Sequence, residues 1–371
     1  MSREVVAGRL VLGDRVEPGR LVVDGERILD IEPDDAQRIG PHVMPGFVDV
    51  HVHGWGGHDA MGGRAALDGM SRSLLRRGVT SFLPTGVTAP LPELAAFADT
   101  VRSWMPGAPP DGARPLGFNI EGPFISQSKR GAHNPDLVRS SLDVDLAALE
   151  PIVGGMRIMT VAPEIPGGLE LIRWLRDRGV AVSLGHSAAT VEQARAGYTA
   201  GGRTTTHLFN GMSGVDHHHP GLAVAALTDD AAYVELIADG QHVHPAVWDL
   251  ILRAKPPGRL VLISDALAFA GTGIGRAVMS GMAIEIHEDR CTLAGTDTLA
   301  GSVIALDTAV RNVVAAGFGL PVAAAASSRN ALELLGVTDR GVLAPGMLAD
   351  VVLLDETFRL QRVMRGGTWQ D

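Results

Sequence analysis

Eight short apolar runs, each followed by a stretch rich in Ala, Leu and Arg, occupy the middle of this 371-residue chain. They fall at residues 47–50, 80–83, 117–120, 158–161, 181–184, 203–206, 234–237 and 260–263. Short apolar runs alternating with helical stretches are the pattern of βα units. Eight such units are what a (β/α)8 TIM-type barrel requires, over about 250 residues. On count alone a doubly wound α/β sheet remains open. The barrel is favoured by where the polar residues fall, because nearly every run ends in His, Asp, Glu or Thr. In a barrel those strand ends converge on one mouth.

The two ends of the chain read differently. Residues 1–44 alternate apolar and polar positions around the turn signals Glu17-Pro18-Gly19 and Asp24-Gly25, the pattern of short antiparallel strands. Residues 349–355 and 362–367 carry the same signal. We expect residues 1–44 and 341–371 to form one small β domain together, with the barrel over 45–340. A chain of this length exceeds one compact core, in keeping with that division.

Composition narrows the partners. The net charge of −10, with no Lys/Arg cluster to interrupt it, disfavours nucleic acid. Hydrophobic residues at 46%, charged residues at 20% and a mean hydropathy of +0.15 describe a globular enzyme. No apolar run approaches about 18 residues, so no membrane span is expected. The first residues have no apolar signal segment, which points to the cytoplasm. The single cysteine, Cys291, has no disulfide or CxxC partner and reads as a small buried hydrophobe in a reducing compartment.

Chemistry concentrates at the run ends. His51 and His53 follow residues 47–50, and if the strand persists both side chains share a face. Taken alone, an HxH pair looks like any two surface histidines. Glu121 closes residues 117–120 ahead of Gly122-Pro123-Phe124, a sharp exit that would hold a carboxylate at the mouth; alone, it reads as a loop Glu. His186 and His207 each follow an apolar or β-branched run, and either by itself could be a structural histidine. Asp265 ends the most apolar run of all, where an unpaired carboxylate would be costly. Six such residues at five strand ends form a nitrogen and oxygen ligand set for a divalent metal. Such an ion lowers the pKa of its water and polarises a carbonyl, while a nearby carboxylate, best placed as Asp265, moves the proton. No GxSxG elbow, P-loop or suitable Cys nucleophile competes. The glycine-rich segments Gly54-Trp55-Gly56-Gly57 and 271–275 read as flexible mouth loops, with a phosphate cradle as the alternative.

Longer motifs carry a resemblance. Pro45-Gly46-Phe47-Val48-Asp49-Val50-His51-Val52-His53-Gly54, Glu121-Gly122-Pro123-Phe124, Gly131-Ala132-His133-Asn134-Pro135 and Ala162-Pro163-Glu164 are joined by Gly185-His186-Ser187 and Thr206-His207-Leu208-Phe209-Asn210. With Asp239-Gly240-Gln241-His242-Val243 and Ser264-Asp265-Ala266, their order resembles that of N-acetylglucosamine-6-phosphate deacetylases, over essentially the whole chain. The resemblance implies a barrel with a small β-sandwich built from both termini, a homodimer, and zinc or a similar divalent metal. Iron, manganese and cobalt suit the same donors, with one or two ions per subunit. It implies that Glu121, His186 and His207 hold the principal ion and that His51 and His53 hold a second. It makes Asp265 the base, His133 the group that orients the acetamide carbonyl, and Asn210, Gly211 and His242 contacts to the amino sugar and its phosphate.

The chain also departs from that pattern. Val215-Asp216-His217-His218-His219-Pro220-Gly221 places His218 where the family usually has a phosphate-binding Arg. An imidazole there replaces a permanent bidentate cation, although a phosphate dianion would raise its pKa; the bland alternative is a solvated loop. Gly211 stands for the common Ala, Ala331 for the usual Pro, and Gly273-Ile274-Gly275-Arg276 for an Asp-Gly-x-Tyr segment. Two substrates follow as expectations: N-acetylglucosamine 6-phosphate, or an unphosphorylated or differently decorated N-acyl amino sugar. Cyclic-amide or N-acyl-amino-acid hydrolysis is a third possibility on this scaffold, where relatives commonly use a carboxylated barrel lysine; Glu121 fills that place here. A sugar-sensing protein without catalysis is the fourth.

Overall fold

The computed structural model describes residues 3–273 and 275–370. Four strands open the chain: β1 Arg3–Leu12, β2 Arg15–Asp24, β3 Arg27–Pro33 and β4 His42–Pro45. The eight strands of the barrel are β5 Phe47–Val52, β6 Val79–Val87, β7 Phe118–Glu121, β8 Met156–Val161, β9 Ala181–Leu184, β10 Gly202–Thr205, β11 Val234–Ile237 and β12 Leu260–Ile263. Each overlaps one of the eight apolar runs. A small antiparallel sheet follows, of β13 Gly275–Met279, β14 Met282–Ile286 and β15 Cys291–Leu293. The chain ends on β16 Val351–Leu354, β17 Leu360–Arg365 and β18 Thr368–Gln370.

Strands β5 to β10 pair in parallel and in sequence, and β11 pairs in parallel with β12. Two seams complete the ring. Thr205 N–H donates to the Tyr233 carbonyl and Tyr233 N–H to that of Arg203, joining β10 to β11. Asp265 N–H donates to the His51 carbonyl at 2.9 Å and His53 N–H to that of Ala266 at 2.9 Å, joining β12 to β5. This closure separates the barrel from a doubly wound sheet. Several crossover helices bury one stripe. In the helix Arg64–Leu75 that stripe is Leu67, Met70, Ser71, Leu74 and Leu75, at three- and four-residue spacing, facing the barrel core with Phe82 and Trp104. The helix Val191–Ala200 starts on a Thr190/Gln193 capping box.

The terminal strands form one seven-stranded sheet, in the order β18-β17-β16-β4-β1-β2-β3. The sandwich is thus a single hydrogen-bonded sheet folded over its own core. Its β3 edge folds back onto the segment leading into β16: Ile28 N–H donates to the Met347 carbonyl, and Ala349 N–H to that of Glu26. Val6, Leu10, Leu21, Ile28, Val351 and Met364 fill the space between. Among the described residues no helix is long and apolar enough to cross a membrane.

Candidate active site

Each metal-type side chain named from the sequence sits at the C-terminal end of a barrel strand, and three of them do so on a sharp turn. His186, His207 and Asp265 have φ values of 45°, 28° and 50°, a left-handed conformation that costs a non-glycine residue about 1–3 kcal/mol. Such strain persists where the surroundings over-determine it. Ser187 and Ala188 are held by Glu164, the Ser187 hydroxyl and the Ala188 N–H both donating to its carboxylate at 2.7 and 2.6 Å. Asp265 is pinned on both sides of its peptide, donating to His51 and accepting from Ser302. Glu121 is followed by Gly122 at φ +84°, where a Cβ would stand 2.0 Å from the Thr88 hydroxyl oxygen, so the exit from β7 demands glycine.

The side chains converge on the Glu121 carboxylate. Its Oε1 lies 3.1 Å from His186 Nε2 and 2.8 Å from His207 Nε2, and those two nitrogens are 3.1 Å apart. Its Oε2 lies 3.1 Å from His53 Nε2, 3.6 Å from His51 Nε2 and 3.4 Å from His133 Nε2. Asp265 Oδ1 is 3.3 Å from His53 Nε2 and 3.5 Å from His51 Nε2. Donors around one zinc-sized ion at about 2.0–2.1 Å stand roughly 3.3 Å from each other, which is the spacing here. His51, His53, Glu121 and Asp265 form one such cluster of possible ligands, and Glu121, His133 and His186 a second that overlaps it. Glu121 belongs to both.

The electrostatics agree. Burial by itself would push the His51 and His53 rings toward neutrality, but Glu121 and Asp265 outweigh it, carrying His51 well above the ordinary imidazole value and His53 to about 9. Burial likewise penalises the charge on Glu121, yet the surrounding imidazoles hold its pKa well below the usual range. The pocket attracts positive charge between buried carboxylates, and no Lys or Arg is among the described residues lining it. With imidazole and carboxylate donors and no thiolate, a divalent cation fits. His133 differs: burial, then the neighbouring His186, push it down to about 4, so its ring is neutral.

All of these groups except the fully buried His51 line a cavity of about 300 Å³ with Asn210, Gly211, His242, Leu267, Met279 and Thr298. Burial opposes charging of His242, but Asp239, 2.7 Å from its Nδ1, raises its pKa above the ordinary value. Gly211, at φ +56°, approaches so closely that a Cβ would lie 2.8 Å from His186 Nδ1. His218 is not brought to the cavity: it is exposed, its N–H donates to Asp216, and its ring lies tilted against His217, with centroids 3.9 Å apart. The glycine loop at 54–57 is no phosphate cradle, since the N–H groups of Gly54, Gly56 and Gly57 donate to the carbonyls of Ala266, Ala270 and Ala268. Of the altered Gly273-to-Arg276 segment, Ile274 lies outside the described residues; from Gly275 the chain enters β13, and Met279 at its end reaches the cavity. Cys291 is buried, as its solitary place in the sequence suggested.

Three carboxylates escaped the sequence reading. Glu164 closes the Ala162-Pro163-Glu164 motif, but its role as a clamp on the His186 turn is a spatial fact. Asp49 accepts from the N–H groups of His51 and Ser264, and burial raises its pKa to about 7. Glu235 faces His51 from β11. The signal for the last two was present: a single acid inside a strand otherwise apolar, Phe47-Val48-Asp49-Val50 and Val234-Glu235-Leu236-Ile237.

The profile of the amidohydrolase family matches residues 42–369. The chain is 39% identical over 333 residues to the N-acetylgalactosamine-6-phosphate deacetylase of Escherichia coli O157:H7, covering 88% of this chain and 86% of that one. It is 37% identical over 387 residues to the human N-acetylglucosamine-6-phosphate deacetylase, covering 97% and 91%. Among solved structures, a mutant N-acetyl-D-glucosamine-6-phosphate deacetylase of Mycobacterium smegmatis, in complex with N-acetyl-D-glucosamine-6-phosphate, superposes with a TM-score of 0.92 at 32% identity, over 100% and 99% of the two chains. The Thermotoga maritima N-acetylglucosamine-6-phosphate deacetylase gives 0.92 at 31% identity, over 99% of each. Barrel, carboxylate-centred histidine cluster and full-length similarity coincide: this chain is an amidohydrolase, and it belongs to the N-acetylglucosamine-6-phosphate deacetylase family.

Proposed function

We propose that the chain removes the acetyl group of N-acetyl-D-glucosamine 6-phosphate, giving D-glucosamine 6-phosphate and acetate. The observation that carries this reading is the convergence of Glu121, His186, His207, His53 and Asp265 in a cavity also lined by His133, Asn210 and His242, with His51 buried against the same Glu121. Glu121, His186 and His207 would hold a principal divalent ion, with His51 and His53 holding a second beside the same Glu121. Zinc suits these donors best, and iron, manganese or cobalt are the alternatives. Such an ion supplies Lewis acidity and lowers the pKa of water.

The protein's own groups complete the reaction. Asp265 takes a proton from the attacking water, the C–N bond of the acetamide breaks, and the proton passes to the departing amine. Neutral His133 donates an N–H to the acetamide oxygen. His242, its Nδ1 held against Asp239, receives the phosphate, with Asn210 and Gly211 contacting the sugar. The small domain of residues 1–44 and 341–371, a homodimer and a cytoplasmic location belong to the same reading.

The Escherichia coli relative motivates a second reading, the C4 epimer N-acetylgalactosamine 6-phosphate. Measuring kcat/KM on both epimers and on N-acetylglucosamine without phosphate decides among them. The first reading expects the phosphorylated glucosamine derivative to lead by about 100-fold or more over the free sugar, the worth of roughly one charge-assisted contact. A ratio near one sinks it in favour of an unphosphorylated substrate, and a lead for the galacto epimer transfers it to the second.

A further inference from the structure

Behind the histidine cluster, outside the cavity, Glu235 sits on β11 with its side chain fully buried. One oxygen, Oε2, does two jobs: it lies 3.2 Å from His51 Nδ1 and accepts the backbone N–H of His207 at 3.2 Å. The other, Oε1, is buried with no hydrogen-bond partner. Leaving a carboxylate oxygen unpaired in a core costs stability, so this group needs a compensating role. Its neighbours show what is special about it. His53 Nδ1 faces the Thr85 carbonyl at 3.1 Å and His186 Nδ1 the Lys129 carbonyl at 2.7 Å, both neutral acceptors. The Nδ1 atoms of His133 and His207 have no partner. His51 alone in the cluster is backed by a carboxylate.

We propose that Glu235 is the positioning residue that sets metal occupancy at the His51/His53 end of the cluster. By accepting the Nδ1–H of His51 it fixes the tautomer that presents Nε2 toward Glu121 and Asp265, and it makes that ring a stronger donor than its neighbours. Through the same oxygen it supports the left-handed turn at His207, on the opposite side of Glu121. A single carboxylate thereby couples the two halves of the cluster. The inference rests on the metal-binding part of the function proposed above and is independent of the substrate.

The test is a titration of metal-stripped full-length protein with Co2+, followed by equilibrium dialysis and by the d–d absorption of the bound ion. Wild-type protein is expected to bind two Co2+ per chain. Glu235→Gln keeps a carbonyl oxygen but loses the charge; it should retain one site at wild-type affinity and bind the second about 10- to 100-fold more weakly, with an altered spectrum for that ion. Glu235→Ala removes the acceptor for His207 as well and should weaken both. Wild-type affinity for both ions in Glu235→Gln, equal weakening of both, or a wild-type protein that takes up only one ion overturns the proposal. A variant-free measurement stands beside these. Histidine 15N spectra of wild-type protein with two equivalents of Zn2+ should show His51 protonated at Nδ1, and protonation at Nε2 refutes the assignment even if neither variant folds. Inactivity on amino-sugar phosphates would refute the substrate while leaving both readouts intact.

Discussion

His42 and His53 are buried to similar degrees at the two ends of one continuous stretch of chain, yet their surroundings drive them in opposite directions. His42, in the terminal sheet, stacks on Phe358 at 4.8 Å; burial, then the nearby Arg9, lower its pKa to about 4. His53, at the barrel mouth, meets two buried carboxylates that override the same burial and raise it to about 9. Burial thus neutralises a histidine where nothing answers its charge. It creates a demand for positive charge where carboxylates converge, and a divalent ion meets that demand in place of protons.

The first way to break the comparison is to remove the ion. Treatment with a chelator should bring amidohydrolase turnover down to background and buffered metal should restore it, with the terminal sheet unaffected in circular dichroism; a metal-free yet fully active preparation would refute the mechanism. Next comes Asp265→Asn, expected to lower kcat by about 10²–10⁴ while metal analysis shows the principal ion retained. Wild-type turnover in that variant would leave the cluster as a binding site only. Gly122→Ala places a methyl group against Thr88 at the exit of β7 and should lower unfolding free energy by about 2 kcal/mol or more in denaturant titrations.

The smallest effect concerns the sheet. Because the folded pKa of His42 lies below the ordinary 6.5, the folded state binds fewer protons there than the unfolded chain, and stability is lost as pH falls from about 6.5 toward 4. His42→Phe preserves the stack on Phe358 and should spare about 1 kcal/mol of that loss at pH 5, after allowance for solvent screening. Equal acid sensitivity of variant and wild type would remove His42 from the comparison.

What could be read in advance follows from range. Strand positions β5 to β12 were legible because a short apolar run is a local property, and so were His51, Glu121, His186, His207 and Asp265, each within two residues of the end of such a run. The terminal sheet was legible as strands, but its union into one sheet depends on β4 pairing with both β1 and β16, and its closure over its core on contacts between Glu26–Ile28 and Met347–Ala349, far apart in the chain. His218 matched a motif position, and only the packed loop puts it outside its own cavity. The nitrogen and oxygen donor set of the site is therefore set by the sequence itself. How those donors divide around the two oxygens of Glu121, and that Glu235 stands behind His51, were decided when the seam between β12 and β5 closed. Ring closure is what brings strands separated by about two hundred residues within hydrogen-bond distance, and no local pattern encodes which buried acid will then face which imidazole.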